Sequence, residues 1–224
     1  MISFEVLTLF PEYFEVLNSG ILGKAIQNNL FKVKVTNIRD FSADKHNKTD
    51  DYPFGGGAGM VMTPQPIHDA ILAVDMEHKC KRINVSPRGI KLTQQLVKTL
   101  SEESNILLLC GSYEGIDQRV IDMDIDMEVS IGDYVLTSGE LPALVILNAI
   151  SRYIPNVLGS EQSTEIESFS ENLLEYPQYT RPQNFLGAEV PEVLISGNHA
   201  LVDKWRDEQS KKITKERRPD LLEK

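Results

Sequence analysis

The chain has 224 residues, 41% of them hydrophobic and 7% aromatic, and a formal charge of −10. That length holds one large domain or one domain plus a small one, with enough apolar content to exclude global disorder. The charge argues against an indiscriminate coat on nucleic acid, no apolar run reaches the ~18 residues of a membrane span, and Met1–Glu5 lacks the basic start of a secretory signal.

In chain order, Ile2 to Leu9 is rich in strand formers and reads as a strand entering a core. Pro11 suits a first helical turn, Glu12 to Leu17 has helical spacing, and after Gly20 a second short helix is expected over Ile21 to Asn29. Phe31 to Ile38 alternates apolar and polar residues as a half-buried strand does. Arg39 to Thr63 has no sustained period, and at its centre Asp50 to Met60 carries four glycines. These glycines form neither a Walker loop nor a dinucleotide fingerprint, so a lid and a plain linker both remain open. Pro64 to Met76 reads as a helix, Arg82 to Ser86 as a short strand closed by the turn Pro87-Arg88-Gly89, and Leu92 to Leu100 as a helical stripe. Ile106 to Cys110 is a continuous apolar run, the mark of a central parallel strand covered on both faces. A short helix over Ile116 to Met123 and a strand over Met127 to Ile131 lead to a glycine-punctuated crossing, then to an apolar helix over Leu141 to Ile154 with Arg152 near its end.

Strand–loop–helix order recurs, so the fold class is α/β with a mostly parallel sheet. Three of the strands end in loops, at Ser86-Pro87, at Gly111 to Glu114 and at Ile131 to Gly139. Ligands of such sheets lie at the carboxyl ends of the strands, so three loops of this kind point to one site. Beyond Pro155 the character changes. Gly159 to Glu171 is polar and aperiodic, a linker with the composition of a segment that orders on binding. Tyr176 to Pro182 is aromatic, basic and extended, Val190 to Ile195 is short and apolar, and Ala200 to Thr214 reads as a helix.

Charge is unevenly spread. Lys24 to Lys48 holds six basic residues against two acidic ones, and Lys204 to Arg218 holds seven against three. Two basic patches on an acidic body suit a polyanion met at defined places, or else are plain solvated surface. Cys80 and Cys110 are expected as buried thiols of a cytoplasmic protein, and His46, His68, His78 and His199 show no metal-ligand spacing.

Taken together, several motifs in order carry a resemblance. They are Leu9-Phe10-Pro11, Arg39-Asp40-Phe41, Asp50 to Met60, Ser86-Pro87-Arg88-Gly89, Cys110 to Asp117, Ser130 to Pro142, Tyr179-Thr180-Arg181-Pro182, Ser196-Gly197-Asn198-His199 and Trp205-Arg206. Over nearly its whole length the chain resembles the bacterial tRNA (guanine-N1)-methyltransferases of the SPOUT, or trefoil-knot, superfamily. The resemblance implies a deep trefoil knot within the parallel-sheet domain, a small helical C-terminal domain, and cytoplasmic homodimers whose active sites are shared between subunits. It implies division into a donor-binding domain over 1–158, a flexible linker over 159–170 and a tRNA-binding domain over 171–224. The implied reaction is methylation of guanine N1 at tRNA position 37, preferring guanine at position 36, in support of reading-frame maintenance. The implied donor is S-adenosylmethionine.

Carried onto this sequence, the donor-binding residues would be Ser86, Pro87, Gly111, Tyr113, Glu114, Ser130, Ile131, Gly132, Asp133, Tyr134, Val135, Leu136, Gly139 and Pro142. Residues toward tRNA would be Asp50, Gly57, Gly59, Tyr179, Arg181, His199, Trp205 and Arg206. Guanine N1 carries a proton at neutral pH, so methylation needs a base for that proton and a cation for the charge developing on O6. Arg152 matches the family arginine. The family's basic aspartate stands in an Asp-Ser-Phe pattern, whereas this chain has Glu167-Ser168-Phe169, one methylene longer, with Glu165 close by. Ser138 also stands where the family has the first of two glycines. A magnesium ion assisting deprotonation is compatible with this chemistry and unreadable from the residues. Two rival readings are a non-catalytic knotted RNA-binding protein and a knotted methyltransferase acting on another RNA atom. Periodicity alone would also admit an α/β nucleotide hydrolase, which the missing phosphate loop disfavours.

Overall fold

The computed structural model describes residues 1–159 and 167–223, and the chain divides into two compact units, Met1–Gly159 and Ser160–Lys224. In the larger unit, β1 (Ser3–Thr8) is followed by a 3-10 segment, Pro11–Asn18, and α1 (Gly20–Gln27). Then come β2 (Lys32–Asn37), β3 (Asp50–Asp51), β4 (Val61–Met62), α2 (Pro64–Asp75), β5 (Lys81–Lys91) and α3 (Gln94–Ser101). β6 (Asn105–Cys110), α4 (Gln118–Asp124), β7 (Met127–Ser130) and α5 (Glu140–Ser151) complete it.

Five strands form one parallel sheet in the order β2-β1-β6-β5-β7. The apolar run Ile106 to Cys110 occupies its centre and is wholly buried, as continuous hydrophobicity on both strand faces requires. One face packs Phe4, Val6, Ile83, Ile106 and Leu108 against α1, α3 and α5 through Ala25, Val97, Leu100, Ala143, Ile146, Leu147 and Ile150. The other packs Leu7, Leu107 and Leu109 against α2 and α4 through Ile67, Ala70, Ile71 and Val120. The result is a three-layer α/β sandwich. Among the described residues no helix is long and apolar enough to cross a membrane.

Local chemistry starts the helices. Thr93 Oγ1 accepts from Leu96 N at 3.2 Å to open α3, and Asp117 Oδ1 accepts from Arg119 N at 3.0 Å to open α4. Cys80 and Cys110 are free and buried, and burial pushes the Cys80 thiol up to about 12.

Three sequence expectations change. Glu12 to Leu17 lies in a 3-10 helix rather than an α-helix. β5 does not end at Ser86. It leaves the ladder after Val85 and rejoins at Ile90, and both residues pair with Val129 of β7. Pro87-Arg88-Gly89 is thus an extrusion of one long strand, a bulge rather than a terminal turn. Gly89 lets it close, since a Cβ there would sit 2.4 Å from the backbone of Glu128 and Val129. In the smaller unit, β8 (Asn184–Phe185) and β9 (Ala188–Glu189) form an antiparallel hairpin that the sequence pattern does not announce. α6 (Glu192–Ile195) and α7 (His199–Arg217) follow. Asn198 caps α7 by accepting from Leu201 N at 3.3 Å.

Candidate functional site

The carboxyl ends of β5, β6 and β7 open onto a cleft of about 230 Å³. Its lining includes Ser86 and Pro87 from the β5 extrusion, then Gly111, Tyr113 and Glu114 from the loop after β6. Ser130, Ile131, Gly132, Tyr134, Val135, Leu136, Gly139 and Pro142 from the crossing between β7 and α5 complete the expected set. Asp133 departs from expectation. It does not line the cleft, and its carboxylate lies 3.2 Å from Lys91 Nζ at the exposed surface. Just before it, Ser130 Oγ donates to Gly132 O at 3.0 Å and accepts from Gly132 N at 3.2 Å.

Close backbone approach shapes the crossing. Gly139 N donates to Gly111 O at 2.8 Å, and a Cβ on Gly139 would meet Cys110 Cα at 2.8 Å. Two of the three loops therefore touch backbone to backbone. Behind them, the wholly buried Glu140 opens α5 and accepts from Thr8 Oγ1 at 2.6 Å, tying the helix start to the end of β1.

Two polar residues at the cleft escaped the sequence reading. Asn84 and Ser112 are buried, and Asn84 Oδ1 and Ser112 Oγ have no hydrogen-bond partner among the described residues. Buried polar atoms without partners are costly, so a cleft that keeps two of them is suited to a ligand with polar groups of its own. The signal was legible for Asn84: an amide between Ile83 and Val85 interrupts an apolar strand. Asn84 Nδ2 donates to Glu128 Oε2 at 2.7 Å, and that oxygen lies 3.7 Å from Arg88 Nη2, which itself donates to Gln118 at 3.3 Å. The β5 extrusion is thereby fastened to β7 and α4.

The glycine-rich loop is neither a free lid nor a linker at its C-terminal end. Glu114 N donates to Met60 O at 3.0 Å, Met62 N to Gly115 O at 2.9 Å and Asp117 N to Met62 O at 3.1 Å. Gly59 has φ +81°, and a Cβ there would fall 2.5 Å from Glu114 Cγ. Asp50 pairs with Met62 in the short ladder of β3 and β4, Gly57 lies at φ +124°, and Phe54 at the loop tip is wholly exposed. The loop and the cleft wall therefore form one hydrogen-bonded piece.

Arg152 caps the C-terminus of α5 and is half-buried. In the smaller unit, Glu167 is half-buried in a turn, while Glu165 lies outside the described residues. Tyr179 and Trp205 stand with ring centroids 6.2 Å apart, and Arg206 lies 4.9 Å over the Tyr176 ring and 3.4 Å from Asp203. Arg181 and His199 are exposed. Part of the C-terminal basic patch is paired within itself, through Lys211 with Asp207 at 2.7 Å and Lys204 with Glu208 at 3.9 Å. Among the described residues no group of three His, Cys, Asp or Glu could hold a metal ion.

Comparison with known proteins agrees with this arrangement. A family described as "tRNA (Guanine-1)-methyltransferase TrmD" matches residues 2–224. A protein of Clostridioides difficile named tRNA (guanine-N(1)-)-methyltransferase is 54% identical over 225 residues, covering 99% of this chain and 97% of that one. One of the same name from Ruminiclostridium cellulolyticum is 56% identical over 224 residues, covering 99% and 96%. A third, from Alkaliphilus metalliredigens, is 55% identical over 222 residues, covering 97% and 90%.

Proposed function

From the premise that the chain belongs to the tRNA (guanine-1)-methyltransferase family, we propose that it methylates N1 of guanine 37 in tRNA, with S-adenosylmethionine as donor. Its preferred tRNAs carry guanine at position 36, and the modification supports reading-frame maintenance in the cytoplasm. The observation that carries the donor assignment is the three-loop cleft with its two unpartnered buried polar atoms. The residues fit such a donor. The loops bearing Gly111, Gly132 and Gly139 line the cleft, Tyr134 and Leu136 can wall an adenine, and Glu114 can accept from a hydroxyl or an ammonium. When bound, the donor supplies an electrophilic methyl group on sulfur.

The chain's own residues do the rest. Glu167 accepts the N1 proton as the methyl moves, and Arg152 offsets the negative charge that grows on O6. The cleft walls hold sulfur, methyl and N1 in line. The exposed loop Asp50 to Met60 together with Tyr179, Arg181, His199, Trp205 and Arg206 receives the tRNA. The crossing of β7 into α5 is the knot, and the active chain is a homodimer whose sites draw on both subunits. Support for the dimer comes from exposed apolar side chains beside the cleft. Outside the cleft lining, Leu141 is 51% and Val145 45% exposed on α5, apolar side chains that a single chain leaves wet.

Two experiments test this reading. Methylation of transcripts carrying guanine–guanine or adenine–guanine at positions 36 and 37, read by nucleoside mass spectrometry, is expected to give N1-methylguanosine and to favour the first. A methyl group on another atom would replace the assignment. Single-turnover methyl transfer by Glu167→Gln should fall about 10²-fold, and a near-normal rate would remove Glu167 from the role of base.

A further inference from the structure

The turn that carries Glu167 is fastened from outside itself. Within the turn, Ser170 N and Oγ both donate to Glu167 O, at 3.2 and 2.6 Å, and Glu167 N donates to Ser170 Oγ at 3.3 Å. Glu175 N donates to Ser168 Oγ at 3.0 Å, and Phe169 N donates to Leu173 O at 2.7 Å. This closure places Phe169 at φ +77°. A bulky side chain holds that left-handed conformation only where its surroundings over-determine it.

The surroundings are the end of α7 and the segment after it. Leu174 N donates to the hydroxyl of Thr214 at 2.8 Å, and Thr214, wholly buried, donates in turn to Ser210 O at 2.7 Å. One turn further along, the Arg218 guanidinium lies over the Phe169 ring at 5.7 Å from its centroid. Arg218 is itself oriented. Its Nε and Nη2 donate to the two oxygens of Asp220 at 2.8 and 2.7 Å, which fixes the plane of the guanidinium. Asp220 sits in the 3-10 turn Pro219–Leu221, whose Leu221 is buried and donates its N–H to Arg218 O at 3.1 Å. The last described turn of the chain thus aims Arg218, and Arg218 holds Phe169 two residues from the candidate base.

We propose that Arg218, oriented by Asp220, is a positioning residue for methyl transfer. By clamping Phe169 it sets the direction in which the Glu167 side chain leaves its turn. The proposal rests on the reading of Glu167 as the base. Two of the donors of Arg218 are held by Asp220 and its guanidinium lies 5.7 Å from the Phe169 centroid, so its charge is in part offset inside the unit.

The test is a rate cycle under single-turnover conditions at saturating donor and tRNA, with both dissociation constants measured separately. Arg218→Ala is expected to slow methyl transfer about tenfold, less than the roughly 10²-fold that a 1 Å misplacement of a reacting group can cost, with both affinities unchanged. Arg218→Lys should be equally slow, because an ammonium keeps the charge but neither the fork nor the flat face. In a Glu167→Gln background Arg218→Ala should cause no further loss. If Glu167→Gln is slow while Arg218→Ala runs at the native rate, the clamp is overturned and the base stands. If Arg218→Ala weakens tRNA binding and leaves the saturated rate unchanged, Arg218 is a phosphate contact and the proposal is wrong. If Arg218→Ala slows the Glu167→Gln enzyme by the same tenfold, it acts independently of Glu167 and the proposal is likewise overturned. If Glu167→Gln itself is near normal, the base assignment fails first and the clamp loses its object. Asp220→Asn, which keeps the side-chain shape, provides a milder variant, expected to lie between native and Arg218→Ala.

Discussion

At the residue scale, Gly59 shows how one missing side chain joins the glycine-rich loop to the cleft wall. Its φ of +81° is a conformation glycine adopts without strain, and its open side is filled by the stem of Glu114. Gly59→Ala would both strain the backbone and displace Glu114 at the cleft. Donor affinity measured by titration calorimetry should fall roughly tenfold, the equivalent of the low end of such strain, and tRNA methylation should fall with it. Unchanged donor affinity would mean that Glu114 relaxes away without consequence. This coupling was not legible in the sequence. The glycine count of Asp50 to Met60 announced a loop of unusual backbone, but the bonds to Gly115 and Asp117 run between main-chain atoms that carry no sequence signature. Asp133 is a second case: its place in the motif suggested a cleft residue, and its carboxylate stands 3.2 Å from Lys91 Nζ, a pairing between distant residues that the motif does not carry.

Elements were more legible than their junctions. The run Ile106 to Cys110 and the stripe of α3 declared themselves because burial on two faces or along one stripe demands those residue types. β5 did not, because Pro-Arg-Gly is turn chemistry and its return to the ladder depends on β7. The start of β5 is tied to the end of α2 by a buried pair: Arg82 Nε lies 2.7 Å from Asp75 Oδ2, with side chains 4% and 3% exposed. Burial pushes the Asp75 carboxyl up, but the Arg82 guanidinium and the amides of Lys79 and Cys80 outweigh it, so the net shift is downward from 3.8. A carboxyl with a depressed folded value stabilises the fold above its unfolded value and loses that contribution as pH falls through the folded one. Asp75→Asn should therefore destabilise the protein by about 3–5 kcal/mol at neutral pH by stranding a buried arginine. In urea titrations the gap to the native chain should narrow below the ordinary carboxylate range. A gap constant down to strongly acid pH would contradict this.

At the scale of the whole molecule, all the cleft residues lie between Asn84 and Pro142, inside the unit Met1–Gly159. Residues 1–159 expressed alone are accordingly expected to bind S-adenosylmethionine within a few-fold of the full chain and to transfer no methyl group to tRNA. Calorimetry and a methylation assay on the same preparation check both halves of that statement. The change of character after Pro155 was readable as composition. The hairpin Asn184–Glu189 was not, since strands of two residues have no period to detect.

The strand order has a consequence in time as well as in space. β1 pairs on one side with β2, but its other neighbour is β6, so Phe4 must wait for Ile106 to be made. At ribosomal speeds the amino-terminal strand spends on the order of ten seconds with one edge uncovered. Within the larger unit the walls of the cleft come late, since α5 must be synthesised before Glu140 can reach back to Thr8. In the larger unit the strand laid down first is therefore completed by elements made more than a hundred residues later, and the cleft is the seam where that completion occurs.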